Sequence, residues 1–168
     1  VVVEDTWNVD GMCATGSHDV VIEQRFVPPE RAVSIRKMMN AVSPGSERHA
    51  GPLYATPMAP VLSLTAMLPV LGLAKTVVGE FATQLSLRYD MATLQLQASK
   101  SGRQSRLAEA DLDVAAAEAL ARWVVADVMA KRGNADEATR VRWTASIAHV
   151  VATCRKAIDK VGEAAGSS

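Results

Sequence analysis

A stripe of apolar residues with helical spacing dominates the second half of the chain and constrains the fold more than any other feature. It lies between about Gly102 and Arg132, where apolar residues recur at intervals of three and four. The members of the stripe are Leu107, Ala110, Val114, Ala117, Ala121, Val124 and Val128. Residues at these intervals share one face of an α-helix, and that face must be buried against neighbouring elements. The segment Lys131-Arg132-Gly133 predicts the helix end, because cations suit its negative end and glycine accepts the left-handed backbone there.

Another long helix is predicted immediately after this one. Asn134-Ala135-Asp136-Glu137 has the pattern of a capping box, in which side chains at a helix start satisfy its free N–H groups. The apolar face that follows consists of Trp143, Ile147, Val150, Cys154, Ala157, Ile158 and Val161. Because only a short polar joint separates the two long helices, they are predicted to be antiparallel neighbours in a bundle.

An earlier helix is predicted from about Pro57 to Tyr89, with a bend near Pro69, since proline removes a backbone hydrogen bond. Between Leu62 and Leu73 this segment is apolar nearly all round, which predicts a helix covered on every side. The stretch from Ala50 to Ala74 has no charged residue and is long enough to span a bilayer. Several prolines interrupt it, so a buried helix preceded by an irregular arm is the preferred interpretation, and no membrane span is expected.

The first 30 residues have the character of β structure. Val1-Val2-Val3-Glu4 is strand-like, and Val20, Ile22 and Phe26 lie on one face of a later alternating run. Two strands alone are only marginally stable in water. They are therefore expected to join a sheet that the rest of this sequence does not supply.

The segment between the strands and the first long helix is rich in Pro, Gly and Ser, with Ser43-Pro44-Gly45-Ser46 at its centre. An arm of this length without regular structure is unusual inside a compact domain and suits a crossover between two domains. We therefore expect the end of a β-domain over residues 1–30, a connecting arm over 31–56, and a helical bundle over 57–168. The expected fold class is mainly α.

Composition and residue spacing exclude several classes of function. Lys+Arg and Asp+Glu each total 18, so no broad nucleic-acid surface or basic membrane face is expected. Cys13 and Cys154 are far apart and predict two free thiols in a reducing cytoplasm. The isolated histidines His18, His49 and His149 do not have the spacing of metal ligands, so no metal site is expected. The N-terminus lacks the basic and apolar regions of a signal peptide, and a cytoplasmic location is expected.

Several segments, in their order, resemble the acyl-CoA dehydrogenase superfamily. The run from Trp7 to Val20, continuing to Pro28, resembles the end of its middle β-domain. The version Thr15-Gly16-Ser17-His18-Asp19-Val20 is similar to the branch of flavin-dependent monooxygenases built on that fold. The segment Pro52–Met58 resembles the arm by which that branch enters its C-terminal bundle, and Leu71-Gly72-Leu73-Ala74 resembles the first bundle helix.

The resemblance implies that this chain is the C-terminal part of a two-component flavin-dependent monooxygenase. A homotetramer is implied, together with a separate flavin reductase that supplies reduced FMN or FAD. The implied reaction uses reduced flavin and oxygen to hydroxylate a small aromatic or phenolic substrate. In the family, a histidine beyond the Gly-Ser-Ser turn serves in acid–base chemistry, and this sequence stops before that position. No catalytic residue is therefore expected in this chain, which is not expected to be active alone.

The resemblance also implies which residues contact the flavin. Arg88 matches an arginine that reaches the flavin phosphates of a neighbouring subunit, and a guanidinium suits a phosphate because it presents paired donors. Gly166, Ser167 and Ser168 match a flavin-contacting turn and would donate hydrogen bonds from backbone and hydroxyl groups. For Arg88 the structural alternative is an exposed arginine favoured by the helix dipole, and for the Gly-Ser-Ser turn it is a frayed terminus.

The sequence departs from the family at Cys13, where many relatives have arginine after Gly-Met. Cys13 is not expected to be catalytic, because nothing beside it in the sequence would lower its pKa. Ser17 and Asp19 match family positions, but they suit a turn-stabilising role at least as well as a ligand contact.

Two other functions stay open at this point. A true acyl-CoA dehydrogenase would pass hydride to tightly bound FAD, and a non-catalytic helical scaffold would retain the fold without flavin affinity. The Thr15-Gly16-Ser17 and Pro52-Leu53-Tyr54 segments favour the monooxygenase.

Overall fold

The computed structural model describes residues 1–165 and contains two compact units, Val1–Ser34 and Ile35–Ser168. The first unit is a small two-stranded sheet, and the second contains the helices. The mainly α architecture expected from the sequence is confirmed.

The first unit is built on a short antiparallel pair, β1 (Val2–Glu4) and β2 (Asp19–Val21). Val2 pairs with Val21, and Glu4 pairs with Asp19. Every residue of both strands is exposed. The second strand is shorter than the alternating run predicts, because its pairing ends at Val21, before the alternating residue Phe26.

Two short helices interrupt the segment predicted to be an arm without regular structure. These are α1 (Ile35–Met39) and α2 (Pro44–Arg48). Helix α2 begins with a reciprocal cap, in which the Ser43 hydroxyl accepts from the Ser46 N–H and the Ser46 hydroxyl accepts from the Ser43 N–H. The prediction of an irregular arm was therefore wrong here, because local capping is sufficient for a single helical turn that has no long apolar period.

The first long helix, α3, spans Met58–Leu87 and contains Pro69 in its interior. One side of the helix is buried, and large apolar side chains elsewhere on its surface are exposed, including Leu62, Leu68 and Leu73. The expectation of a helix covered on every side is thus wrong within residues 1–165. In the described part of the chain, α3 alone is long and apolar enough to cross a membrane, and 28 % of its most apolar stretch is buried.

Helices α4 (Ser101–Lys131) and α5 (Glu137–Ala165) complete the bundle. Both α3 and α4 contact α5, and α3 also contacts α4. The stripe predicted for α4 is buried except Leu107, which is half-buried, and the face predicted for α5 is buried except Ile158. The shared core consists of Met67, Leu71, Ala74, Val78, Phe81, Leu85, Ala110, Val114, Ala117, Ala121, Val124, Val128, Ala135, Trp143, Ile147, Val150, Cys154, Ala157, Val161 and Ala164.

A buried indole joins α4 and α5. Trp143 is fully buried, and its Nε1–H donates to Asp127 Oδ2 over 2.7 Å. Lys131 Nζ donates to the same oxygen over 3.0 Å. The hydrogen bond from Trp143 and then the one from Lys131 lower the pKa of Asp127. The carboxylate thus satisfies the polar edge of a side chain whose remaining surface is apolar.

The turn between α4 and α5 differs from its prediction at both ends. The residue with positive φ is Arg132 (φ 47°, ψ −128°) and not Gly133, and its ψ places it outside the left-handed helical conformation. Asp136 caps α5, because its Oδ1 accepts from the Thr139 N–H over 2.8 Å, so the capping box predicted to begin at Asn134 is displaced by two residues. A three-residue 3-10 turn, Arg132–Asn134, occupies the position predicted for the cap.

Gly133 is held closely against the preceding arm. A Cβ atom placed on Gly133 would lie 2.8 Å from the Ala55 carbonyl oxygen, whereas one placed on Gly79 in α3 would meet nothing within 4 Å. We therefore expect Gly133→Ala to lower the free energy of unfolding by about 1–3 kcal/mol. Gly79→Ala is expected to raise it by roughly 0.5–1 kcal/mol, because alanine favours a helix interior. Urea unfolding followed by helical circular dichroism measures both, and equal effects from the two variants would contradict the contact with Ala55.

Candidate functional site

Arg88 lies immediately after the last residue of α3. Its N–H donates to the Gln84 carbonyl oxygen over 3.0 Å, while its own backbone is extended (φ −91°, ψ 138°). The side chain is exposed, and its guanidinium has no hydrogen bond or ion pair to any residue from 1 to 165. Among residues 1–165, Arg88 is therefore a cation without a partner at the end of α3.

The backbone after Arg88 folds back in a miniature hairpin, residues 88–97, before α4 begins. The Gln97 N–H donates to the Arg88 carbonyl over 2.8 Å, and the Asp90 N–H donates to the Gln95 carbonyl over 2.8 Å. Tyr89 and Leu96 form an antiparallel bridge between these two bonds. Arg88 is thus the first residue of a hydrogen-bonded ladder and is not part of a frayed helix end.

Asp90 organises the tip of the hairpin. Its Oδ1 accepts from the Ala92 N–H and the Thr93 N–H, each over 3.0 Å, and from the Thr93 hydroxyl over 3.1 Å. Its other oxygen pairs with Lys100 Nζ. The Lys100 ammonium, followed by the Thr93 N–H, holds the pKa of Asp90 down at about 2, so the carboxylate is charged at neutral pH.

The returning arm of the hairpin is tied to the first turn of α4. Arg103 hydrogen bonds to the Gln97 side chain, and Gln104 Nε2 donates to the Ala98 carbonyl over 2.6 Å. The hairpin is therefore attached to α3 through Arg88 and to α4 through Lys100 and its neighbours. Backbone hydrogen bonds on both sides therefore fix the main chain at Arg88, while its side chain remains exposed.

The end of α5 lies at the same end of the bundle as Arg88. A cavity of about 240 Å³ is bordered by Gln84 and Phe81 of α3 and by Gly162 and Ala165 of α5. Gln84 is one turn before Arg88, so the residue that precedes the expected Gly-Ser-Ser turn lies near that turn of α3. Gly166, Ser167 and Ser168 themselves lie outside the described residues, and their role as flavin contacts stays a prediction.

Within the first unit, Ser17 and Asp19 form local contacts. The Ser17 hydroxyl lies 3.0 Å from that of Thr15, and the Asp19 N–H donates to the Thr6 hydroxyl over 2.9 Å. Gly16 precedes them in the left-handed conformation (φ 56°). The Ser17 contact is that of a turn, whereas the Asp19 bond joins its backbone N–H to a residue 13 positions away and does not involve its carboxylate.

The remaining candidate groups are dispersed. Cys13 is exposed and Cys154 is buried, both as free thiols, and burial raises the pKa of Cys154. Residues 1–165 contain no cluster of three or more side chains able to hold a metal ion.

Asp90 and Lys100 were missed by reasoning from the sequence. A signal was present, since an aspartate that follows a helix end and precedes Thr93 by three residues suits a turn in which the carboxylate accepts backbone N–H groups. The pairing with Lys100 could not be read from spacing, because it depends on the hairpin returning the chain to the start of α4.

Comparison with known proteins places these features in a family. Residues 64–168 match the family described as "Acyl-CoA dehydrogenase, C-terminal domain". The chain is 40 % identical over 72 residues to the flavin-dependent monooxygenase oxygenase subunit HsaA of Rhodococcus jostii, a match that covers 43 % of this chain and 19 % of that protein. It is 29 % identical over 120 residues to a pigment production hydroxylase of a Rhodococcus species, covering 71 % of this chain and 31 % of the relative.

Solved structures match almost the whole chain. The 3-HSA hydroxylase from Rhodococcus sp. RHA1 superposes with a TM-score of 0.80 and 28 % identity, over 99 % of this chain and 44 % of the hydroxylase. The HsaA monooxygenase of Mycobacterium tuberculosis shares the fold with a TM-score of 0.80, at 24 % identity over 99 % of this chain and 43 % of its own. The chain therefore spans less than half the length of each of these relatives. It belongs to the family of acyl-CoA dehydrogenase C-terminal domains, with flavin-dependent monooxygenases among its relatives.

Proposed function

We propose that this chain is part of the oxygenase component of a two-component flavin-dependent monooxygenase. The observation that carries the proposal is the match to the 3-HSA hydroxylase over 99 % of this chain, at a TM-score of 0.80 and 28 % identity. The names of the relatives, a flavin-dependent monooxygenase and a pigment production hydroxylase, support the same reaction class. The proposed reaction is hydroxylation of a small aromatic or phenolic compound, in the cytoplasm, with reduced flavin delivered by a separate reductase.

The residues at the C-terminal end of α3 fit a flavin phosphate. FMN and FAD both carry phosphate groups, and a guanidinium binds phosphate through paired, charge-assisted hydrogen bonds. Arg88 is exposed, and its guanidinium is uncommitted within residues 1–165. We assign Arg88 to the phosphate, and Gly166, Ser167 and Ser168 to the flavin contacts implied by the family resemblance.

The protein and the cofactor have separate roles in this proposal. When bound, the reduced flavin supplies the electrons that activate oxygen for transfer to the substrate. This chain contributes binding and orientation, because Arg88 holds a phosphate while its backbone is fixed between α3 and α4.

The exposed side of α3 supports a homo-oligomer, for which a tetramer is proposed. Leu62, Leu68 and Leu73 are each about half exposed, at 56 %, 48 % and 56 %. Apolar side chains repeated along one helix commonly mark a surface that another protein element covers. Native mass spectrometry of the complete protein measures the number of subunits directly.

Flavin titration with an Arg88 variant tests the assignment. We expect Arg88→Ala in the complete oxygenase to weaken flavin binding about ten- to hundredfold, the range for losing a charge-assisted hydrogen-bonded pair. The matched control is Arg155→Ala, which removes an exposed arginine from α5 and should leave the dissociation constant unchanged. Subunit number should be unaffected by both variants, and unchanged flavin affinity in Arg88→Ala would remove the assignment.

A second measurement separates this function from the alternatives left open by the sequence. The complete protein, given reduced flavin, should consume oxygen in the presence of a phenolic substrate. Reduction of a dye driven by an acyl-CoA would instead identify an acyl-CoA dehydrogenase. Absence of flavin affinity in the intact protein would identify a non-catalytic scaffold.

A further inference from the structure

The hairpin between α3 and α4 has many hydrogen bonds, although its tip contributes little buried surface to the core. Met91 and Leu94 at its tip are 90 % and 76 % exposed. Leu94 also adopts a left-handed backbone (φ 56°), which is unfavourable for a leucine and persists only where surrounding contacts enforce it. The hydrogen bonds of this segment therefore fix its own conformation more than they stabilise the bundle.

Asp90 is the centre of those hydrogen bonds. One carboxylate oxygen satisfies the Ala92 and Thr93 N–H groups, and the other pairs with Lys100 at the start of α4. The Asp90 carbonyl also accepts from the Leu94 N–H over 2.8 Å, which closes the turn containing the strained residue. Removal of the carboxylate would leave two backbone donors and one ammonium without their partner.

Arg88 is two residues away on the same ladder. Its carbonyl accepts from the Gln97 N–H, and the next pairing along the ladder joins Asp90 to Gln95. A change at the tip is therefore transmitted to the backbone from which the Arg88 side chain extends. Because Arg88 is already outside the helical conformation, α3 alone does not fix its direction.

We propose that Asp90 is a positioning residue, which acts through the hairpin to hold Arg88 in the orientation that binds a flavin phosphate. The proposal rests on the proposed function, because it assigns a supporting residue to the same flavin contact. The low pKa of Asp90 agrees with it, since the carboxylate is charged throughout the neutral range.

A double-mutant cycle on the complete oxygenase tests the proposal, with FMN and FAD as the titrated probes. Asp90→Ala is expected to weaken binding about three- to tenfold, the range for losing a small number of hydrogen bonds. In an Arg88→Ala background the same change should have almost no further effect, because a residue that acts through Arg88 loses its influence with it. Asp90→Asn retains an oxygen for the two N–H groups and should recover part of the affinity.

A charge-matched control and a second readout separate positioning from general damage. Asp111→Ala removes an exposed carboxylate from α4 and should leave flavin affinity unchanged. Hydrogen exchange of the Leu94 and Gln97 amides should accelerate in Asp90→Ala, while exchange within α5 stays as in the parent protein.

The outcomes test the Arg88 flavin contact and the Asp90 positioning role separately. Additive losses from Asp90→Ala and Arg88→Ala would overturn the positioning role while leaving the Arg88 contact in place. Loss of affinity in Arg88→Ala but not in Asp90→Ala would do the same. No loss in Arg88→Ala would overturn both the flavin contact and the positioning role that depends on it.

Discussion

Replacement of Trp143 by alanine is expected to lower the free energy of unfolding by about 3–5 kcal/mol, the range for truncating a buried aromatic side chain. Trp143 is fully buried on α5, the helix that contacts both other long helices. Its removal leaves a cavity between α4 and α5, and it also leaves Asp127 without the donor that lies 2.7 Å from its carboxylate. The cavity and the lost hydrogen bond both lower the free energy of unfolding.

The measurement is urea unfolding of the complete protein, followed by helical circular dichroism. Trp143→Phe is expected to retain most of the packing and to lose only the hydrogen bond to Asp127, a loss of about 1 kcal/mol. Trp123→Ala is the matched control, because Trp123 is 41 % exposed and lies on the surface of α4, 6.0 Å from the Arg142 guanidinium. An equally large decrease in the free energy of unfolding from Trp123→Ala would contradict the role of Trp143 as a main core residue.

Met67 and Leu68 provide a second pair with opposite expectations. Met67 is fully buried in the bundle core, and its neighbour Leu68 is 48 % exposed at a groove between α3 and α4. We expect Met67→Ala to lower the free energy of unfolding by about 2–5 kcal/mol, because it removes buried methylene groups and leaves a cavity. Leu68→Ala should change it by less than about 0.5 kcal/mol in a single subunit.

The same urea experiment, repeated at several protein concentrations, shows whether Leu68 is exposed to solvent or covered by another subunit. A small effect that does not depend on concentration is the result expected for a side chain exposed to solvent. A large effect at high protein concentration that shrinks as the subunits dissociate would show that another subunit covers this face, as the proposed tetramer requires. A small effect from Met67→Ala would contradict the packing of α3 in either case.

The long helices could be predicted from sequence because their apolar spacing extends over many turns. The stripe on α4 from Ala110 to Val128 is buried as the spacing predicts, and α4 begins within one residue of the predicted start. The short helices were not predicted, because only local contacts form them. Ile35–Met39 and Pro44–Arg48 are each a single turn or so, too short for a period to be visible.

The candidate site also has one part that the sequence predicted and one part that it did not. Arg88 was identified by its place in a family pattern, and its position at the end of α3 was predicted to within two residues. The hairpin that follows was not predicted, because its ladder joins residues such as Arg88 and Gln97 that carry no strand pattern of their own. The positive φ at Arg132 was also missed, since the adjoining glycine was the residue expected to adopt a positive φ.

The length of α3 has a consequence for how proteins of this kind diverge. Its 30 residues separate the hairpin at one end from the arm at the other by about 45 Å, at roughly 1.5 Å for each residue. Substitutions that far apart, with no shared partner, affect stability independently. Mutations accumulating around Ala55 and Gly133 therefore impose no compensating change on Arg88 or Asp90. A lineage can remodel the arm end of the bundle while the hairpin end is inherited unchanged.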